Sequence, residues 1–165
     1  MFKIKLDSTL IAVLLFVGMA LSLVQDVAFA DYRPEADLLA VLKSNASLKD
    51  KMDACRELAV TGSKESVPTL VPLLGDEQLS HSARYALETI QDPSVDDALR
   101  DALGTVNGRL LVGVIGSLGM RRDVKAVKPL SAFLKSEDDE VARIAARSLG
   151  KIGTPEAAKA IQGAL

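Results

Sequence analysis

Two stretches of this 165-residue chain, SLGMRRDVKAVKPL (117–130) and SLGKIGTPEAAKAI (148–161), open on the same three letters and lie 31 positions apart. Taking the leucine of each such stretch as a mark gives Leu58, Leu87, Leu118 and Leu149, at spacings of 29, 31 and 31. Four residues before each mark stand Ala54, Ala83, Val114 and Ala145, and three after stand Thr61, Ile90, Arg121 and Ile152. That is the mostly apolar stripe of a helix with a 3.6-residue period. Five residues after each mark come Ser63, Asp92, Asp123 and Thr154. Each has a side-chain oxygen that can accept from the free N–H groups of a new helix. Pro93 and Pro155 follow two of these caps, at the position where a missing N–H costs nothing. Seven beyond the caps lie Leu70, Leu99, Leu130 and Ile161, and four further on Leu74, Leu103, Leu134 and Leu165, neighbours on one helix face.

Each unit therefore reads as a helix, a tight turn, a second helix and a short polar link such as GDEQ (75–78) or KSEDDE (135–140). The predicted units cover about 37–62, 63–91, 92–122 and 123–153, with a final helix over 154–165. Leu38 and Leu42, 32 positions before Leu70 and Leu74, mark a half unit at the start. A hairpin of about 30 residues cannot bury its apolar face alone, so such hairpins stack and the repetition makes the core. No strand-like alternation competes.

The units resemble HEAT-type repeats, in particular the short subclass named after phycobilisome lyases. AARSLGKIGTPEAAKAIQGAL (145–165) is close to that consensus and ACRELAVTGSKESVPTLVPLL (54–74) is similar to it. The likeness spans about 37–165. Two units depart: ETIQDPSVDD (88–97) lacks the glycines, and GMRRD (119–123) puts arginines where an apolar residue and a glycine are expected. The resemblance implies an all-α fold, a right-handed α-solenoid of about four helical hairpins used for protein binding. It also implies that the helices near 50–61, 78–91, 109–120 and 140–152 line the concave side.

The first 30 residues differ in kind. Lys3 and Lys5 precede an apolar run from Leu10 to Val24, and Ala28-Phe29-Ala30 supplies the small-x-small pattern of a cleavage site. This predicts a signal peptide over 1–30, cut after Ala30, ahead of a repeat domain over 31–165 that is periplasmic or secreted. The rival is an uncleaved anchor, for which a run of this length is short. A membrane partner is expected only through that segment.

The formal charge is −2, and losing Lys3, Lys5, Asp7 and Asp26 leaves it unchanged. A general nucleic-acid binder needs a cationic excess, so no nucleic acid is expected. Cys55 is the only cysteine, which excludes an intrachain disulfide. His81 is the only histidine, and its spacing from Cys55, Asp76 and Glu77 matches neither a zinc set nor a nucleophile–base pair. Haem-attachment, HExxH and Walker-type motifs are absent. No catalytic residue, metal or cofactor is expected.

Some residues break the repeat pattern. Arg84 shares the column of Cys55, Ile115 and Ala146, so a buried guanidinium is expected to find a carboxylate among Asp92, Asp96 and Asp97. GVIGSLG (113–119) spaces glycines by three, which predicts close approach of a neighbouring helix. Between 109 and 128, Arg109, Arg121, Arg122, Lys125 and Lys128 stand against the single acid Asp123. With Arg121 and Arg122 at the hairpin turn, this rim is expected to hold an acidic protein partner. Tyr85, in the column of Arg56 and Arg147, is the expected aromatic anchor.

The reading that follows is an exported, non-enzymatic protein-interaction scaffold. Its alternatives are a lyase-like enzyme or lyase accessory subunit, and a repeat section of a larger exported protein. The last arises because the sequence stops at Leu165 on the apolar stripe, where solenoids carry a polar cap.

Overall fold

The computed structural model describes residues 33–164, and the expected signal peptide over 1–30 lies outside them. These residues form nine helices with no strand among them: α1 (Glu35–Lys43), α2 (Leu48–Thr61), α3 (Val67–Leu70), α4 (Ser80–Thr89), α5 (Pro93–Ala102), α6 (Gly108–Met120), α7 (Val127–Ala132), α8 (Asp139–Ile152) and α9 (Pro155–Gln162). Helices α2, α4, α6 and α8 pack side by side in one layer. The second layer is α1, α3, α5, α7 and α9, each lying against a member of the first.

The cap column does what its chemistry requires. Ser63, Asp92, Asp123 and Thr154 accept from the backbone N–H of Glu65, Ser94, Lys125 and Ala157. A tertiary bond strengthens the first of these: Glu35 Oε1 at the start of α1 accepts from the Ser63 N–H (2.9 Å) and from both the Ser63 and Ser66 hydroxyls.

Proline position separates two kinds of second helix. Pro93 and Pro155 stand at the first turn, and α5 and α9 run as regular helices. Pro68, Pro72 and Pro129 fall deeper in their segments, where the missing N–H removes an i→i−4 bond. There α3 and α7 are short and flanked by 3₁₀ turns, Lys64–Ser66 and Val71–Gly75 in one case, Val124–Ala126 and Phe133–Lys135 in the other. These turns were not foreseen in the spacing.

The leucine marks Leu58, Leu87, Leu118 and Leu149 are fully buried, as are Ala54, Ala83, Val114 and Ala145 before them. Leu70, Leu99 and Leu130 face them from the second layer, also fully buried. Each such leucine contributes about 2 kcal/mol of transfer free energy, which makes this single continuous cluster the main stabilising feature. Cys55 belongs to it with no exposure, and burial pushes its thiol up to about 11.

Of the glycines spaced by three in α6, Gly113 and Gly119 each meet a neighbouring helix closely. A Cβ on Gly119 would sit 2.6 Å from Ser148 Cβ on α8, and one on Gly113 would sit 2.6 Å from the Arg84 guanidinium on α4. Gly116 has ordinary room, its nearest neighbour being Ile144 at 3.8 Å. Spacing by three drifts about 60° per step around a helix of 3.6 residues per turn. The stripe therefore turns from α4 toward α8.

Candidate binding surface

Helix α6 ends in a hairpin turn built without glycine. The N–H of Arg122 donates to Gly119 O and that of Asp123 donates to Leu118 O, both at 3.2 Å, the paired bonds of a Schellman motif. This puts Arg122 in the left-handed region at φ 54°, the place Gly153 takes after α8 at φ 72°. Arg122 is thus the arginine found where the repeat expects glycine, and its exposed side chain is free to point outward.

Arg121 departs from the expectation of a rim cation. Its side chain is 9% exposed and pairs with Asp96 of α5 through Nε. Its Nη1 donates to the carbonyls of Leu87, Glu88 and Ile90, the last at 2.7 Å, and its Nη2 donates to Asp92 O. It satisfies the C-terminal carbonyls of α4 and so does the work of the apolar residue its column carries elsewhere. Ile90 and Ile152 in the same column are buried, which was the signal that the side chain points inward.

The carboxylate partner of Arg84 is also a correction. Asp96 is taken by Arg121, and Asp97 joins Arg100, which pairs as well with the buried Asp123. Arg84 instead lies 3.9 Å from Glu88, one turn along its own helix. Its Nη1 donates to Gly113 O at 3.3 Å and to the Ser117 hydroxyl at 3.4 Å. Burial holds the Arg84 guanidinium below its ordinary value, against the raising effect of Glu88.

The remaining candidates fall in three places. Arg122 and Lys125 are exposed on the turn after α6, and Lys128 is exposed just beyond. Met120 and Val124, not singled out in the sequence, are 57% and 61% exposed on that same turn. Lys151 Nζ reaches Met120 Sδ at 2.9 Å and adds a fourth cation. Arg109 is exposed at the far end of α6, on the order of 20 Å away for a helix of this length. Tyr85 is 52% exposed on α4, which permits the anchor role.

His81 is exposed on α4, its Nδ1 lying 3.4 Å from Arg84 Nη2. Cys55 is enclosed in the core, so the two residues share no site. Among the described residues no three His, Cys, Asp or Glu side chains are grouped to hold a metal ion.

Comparison with known proteins agrees with this geometry. No curated protein matches the chain. Residues 106–165, from the start of α6 through α9, match the family model of HEAT repeats, which supports a HEAT-type helical repeat whose general use is protein–protein interaction.

Proposed function

We propose that this chain is an exported, non-enzymatic scaffold that holds an acidic protein partner against the turn following α6. The observation that carries this reading is the make-up of that turn: two large apolar side chains, Met120 and Val124, more than half exposed and flanked by Arg122, Lys125 and Lys151. Apolar groups set among cations suit a segment in which acids alternate with apolar residues, since charge guides encounter and buried apolar area holds the complex. Tyr85 and Arg109 would then belong to separate contacts. The short phycobilisome-lyase-type repeat is our reading of the subclass, on the likeness of AARSLGKIGTPEAAKAIQGAL (145–165) and ACRELAVTGSKESVPTLVPLL (54–74) to that consensus. Export rests on the basic start, apolar run and Ala28-Phe29-Ala30 of the N-terminus.

The test compares the parent with an Arg122→Glu/Lys125→Glu variant in capture from the native exported fraction. Both residues are exposed, so the fold is retained. A protein recovered by the parent and lost by the variant supports the reading. Equal recovery of every partner by both removes the turn from consideration.

A further inference from the structure

Between the N-terminal ends of α4 and α6 lies a groove of about 500 Å³, lined by Glu77, Ser80, His81, Arg84, Asn107 and Arg109. Arg84 lines it with its guanidinium packed on Gly113, to whose carbonyl its Nη1 donates at 3.3 Å.

Unmet hydrogen-bonding capacity collects here. Ser80 is 3% exposed and its Oγ has no hydrogen-bond partner among the described residues, nor has the buried Nε of Arg84. Buried polar atoms left without a partner call for a water or ion to satisfy them. Helix α6 adds donors. Its N-cap Asn107 makes no side-chain cap bond, and the first intrahelical bond runs from Leu111 to Asn107, so the N–H groups of Gly108, Arg109 and Leu110 have no partner within the helix. The nearest carboxylate to Arg84 is Glu88, and at 3.9 Å with its Oε1 accepting from Ser117 at 2.6 Å it compensates that charge only in part. Among the lining residues Glu77 is the single acid against Arg84 and Arg109.

We infer that this groove is a binding site for a small oxyanion, a phosphate or carboxylate group, held by Arg84 and Arg109, by the free N–H groups at the start of α6 and by the hydroxyl of Ser80. The positive end of α6 and two guanidinium groups supply charge-assisted donors converging on one place. The site is distinct from the turn proposed above, which lies at the opposite end of α6. It stands whether or not that turn binds a protein.

The experiment titrates full-length chain, at constant ionic strength, with inorganic phosphate and separately with a blocked tetraglutamate peptide, following backbone amide shifts. Shifts localised to Gly108, Arg109, Leu110 and Ser80, saturating with a Kd on the order of 1 mM, are expected. Saturation by phosphate alone assigns a free phosphate-class anion, by the peptide alone a carboxylate carried on a chain, and by both the shared chemistry. Arg109→Gln should weaken binding about tenfold, the value of one charge-assisted bond. Ser80→Ala should weaken it about threefold while leaving thermal stability equal or higher, because it deletes a hydroxyl that has no partner in the fold. Shifts scattered over all surface lysines and arginines, or unchanged affinity in both variants, would overturn the site.

Discussion

Arg121 and Asp96 form a tie across neighbouring helices: a guanidinium at the end of α6 grips a carboxylate on α5 and, through Nη1, the last carbonyls of α4 in the preceding unit. Three helices meet on one side chain. A residue that looks like a surface cation in the sequence thus acts as a structural cross-brace.

Removing that brace should be costly. Arg121→Ala leaves Asp96 and four carbonyls without their donor, and the expected loss is about 3 kcal/mol, read from urea denaturation. Arg122→Ala next to it should fall within about 0.5 kcal/mol of the parent, or gain. An Arg121→Ala midpoint equal to the parent's would show that the pair contributes nothing.

Arg122→Gly should stabilise. A side chain at φ 54° bears a left-handed penalty of about 1–2 kcal/mol, of which glycine's greater freedom in the unfolded chain returns part, leaving a net gain of about 0.5–1 kcal/mol. Gly153→Ala, at φ 72°, should lose a similar amount. A thermal melt of both variants decides it: the two shifts must have opposite signs.

The glycines of α6 should rank by what their missing Cβ would meet. Gly119→Ala drives a methyl into Ser148, including its Cα at 2.7 Å, and should cost about 2–3 kcal/mol as two helices are forced apart. Gly113→Ala meets only the movable end of Arg84 and should cost less. Gly116→Ala has room and should gain up to about 1 kcal/mol of helix propensity. Chemical denaturation of the three variants checks the order; a Gly116→Ala loss exceeding that of Gly119→Ala would contradict the packing.

Acid should weaken the join between α1 and the following unit. Burial pushes the Glu35 carboxyl up, yet hydrogen bonds from Ser66 and Ser63 outweigh it and hold the group below its ordinary value of 4.5. A lowered folded value means that the stabilisation is present above pH 4.5 and is lost as pH falls through the lowered value. Glu35→Gln should therefore cost about 1 kcal/mol at pH 7 and progressively less in acid. Asp92 is likewise held low, by Ser94, so the difference between parent and variant isolates Glu35. Parallel stability curves from pH 7 to pH 3 would refute the assignment.

The leucine marks, the cap column and the half unit at Leu38 were legible because each rests on a short-range rule: a 3.6-residue period, or an oxygen placed to meet a free N–H. The exposed turn at Arg122 and Lys125 followed from the same register. The inward turn of Arg121 was written in its column, beside Ile90 and Ile152, but its charge argued for the surface. Met120 and Val124 went unnoticed because an isolated apolar residue in a sequence does not say whether a neighbour will cover it.

The sequence by itself determined where each second segment is capped and which stripe of each helix is apolar, since hydrogen bonds within one turn and side chains three or four apart are set by the chain's own spacing. Only the tertiary structure decided which carboxylate each arginine meets, that Glu35 reaches Ser63, and that α4 and α6 part to leave a groove. Those outcomes depend on how closely separate helices approach, and that distance is fixed by the volumes of side chains from different units pressed together, Gly119 against Ser148 and Arg84 against Gly113.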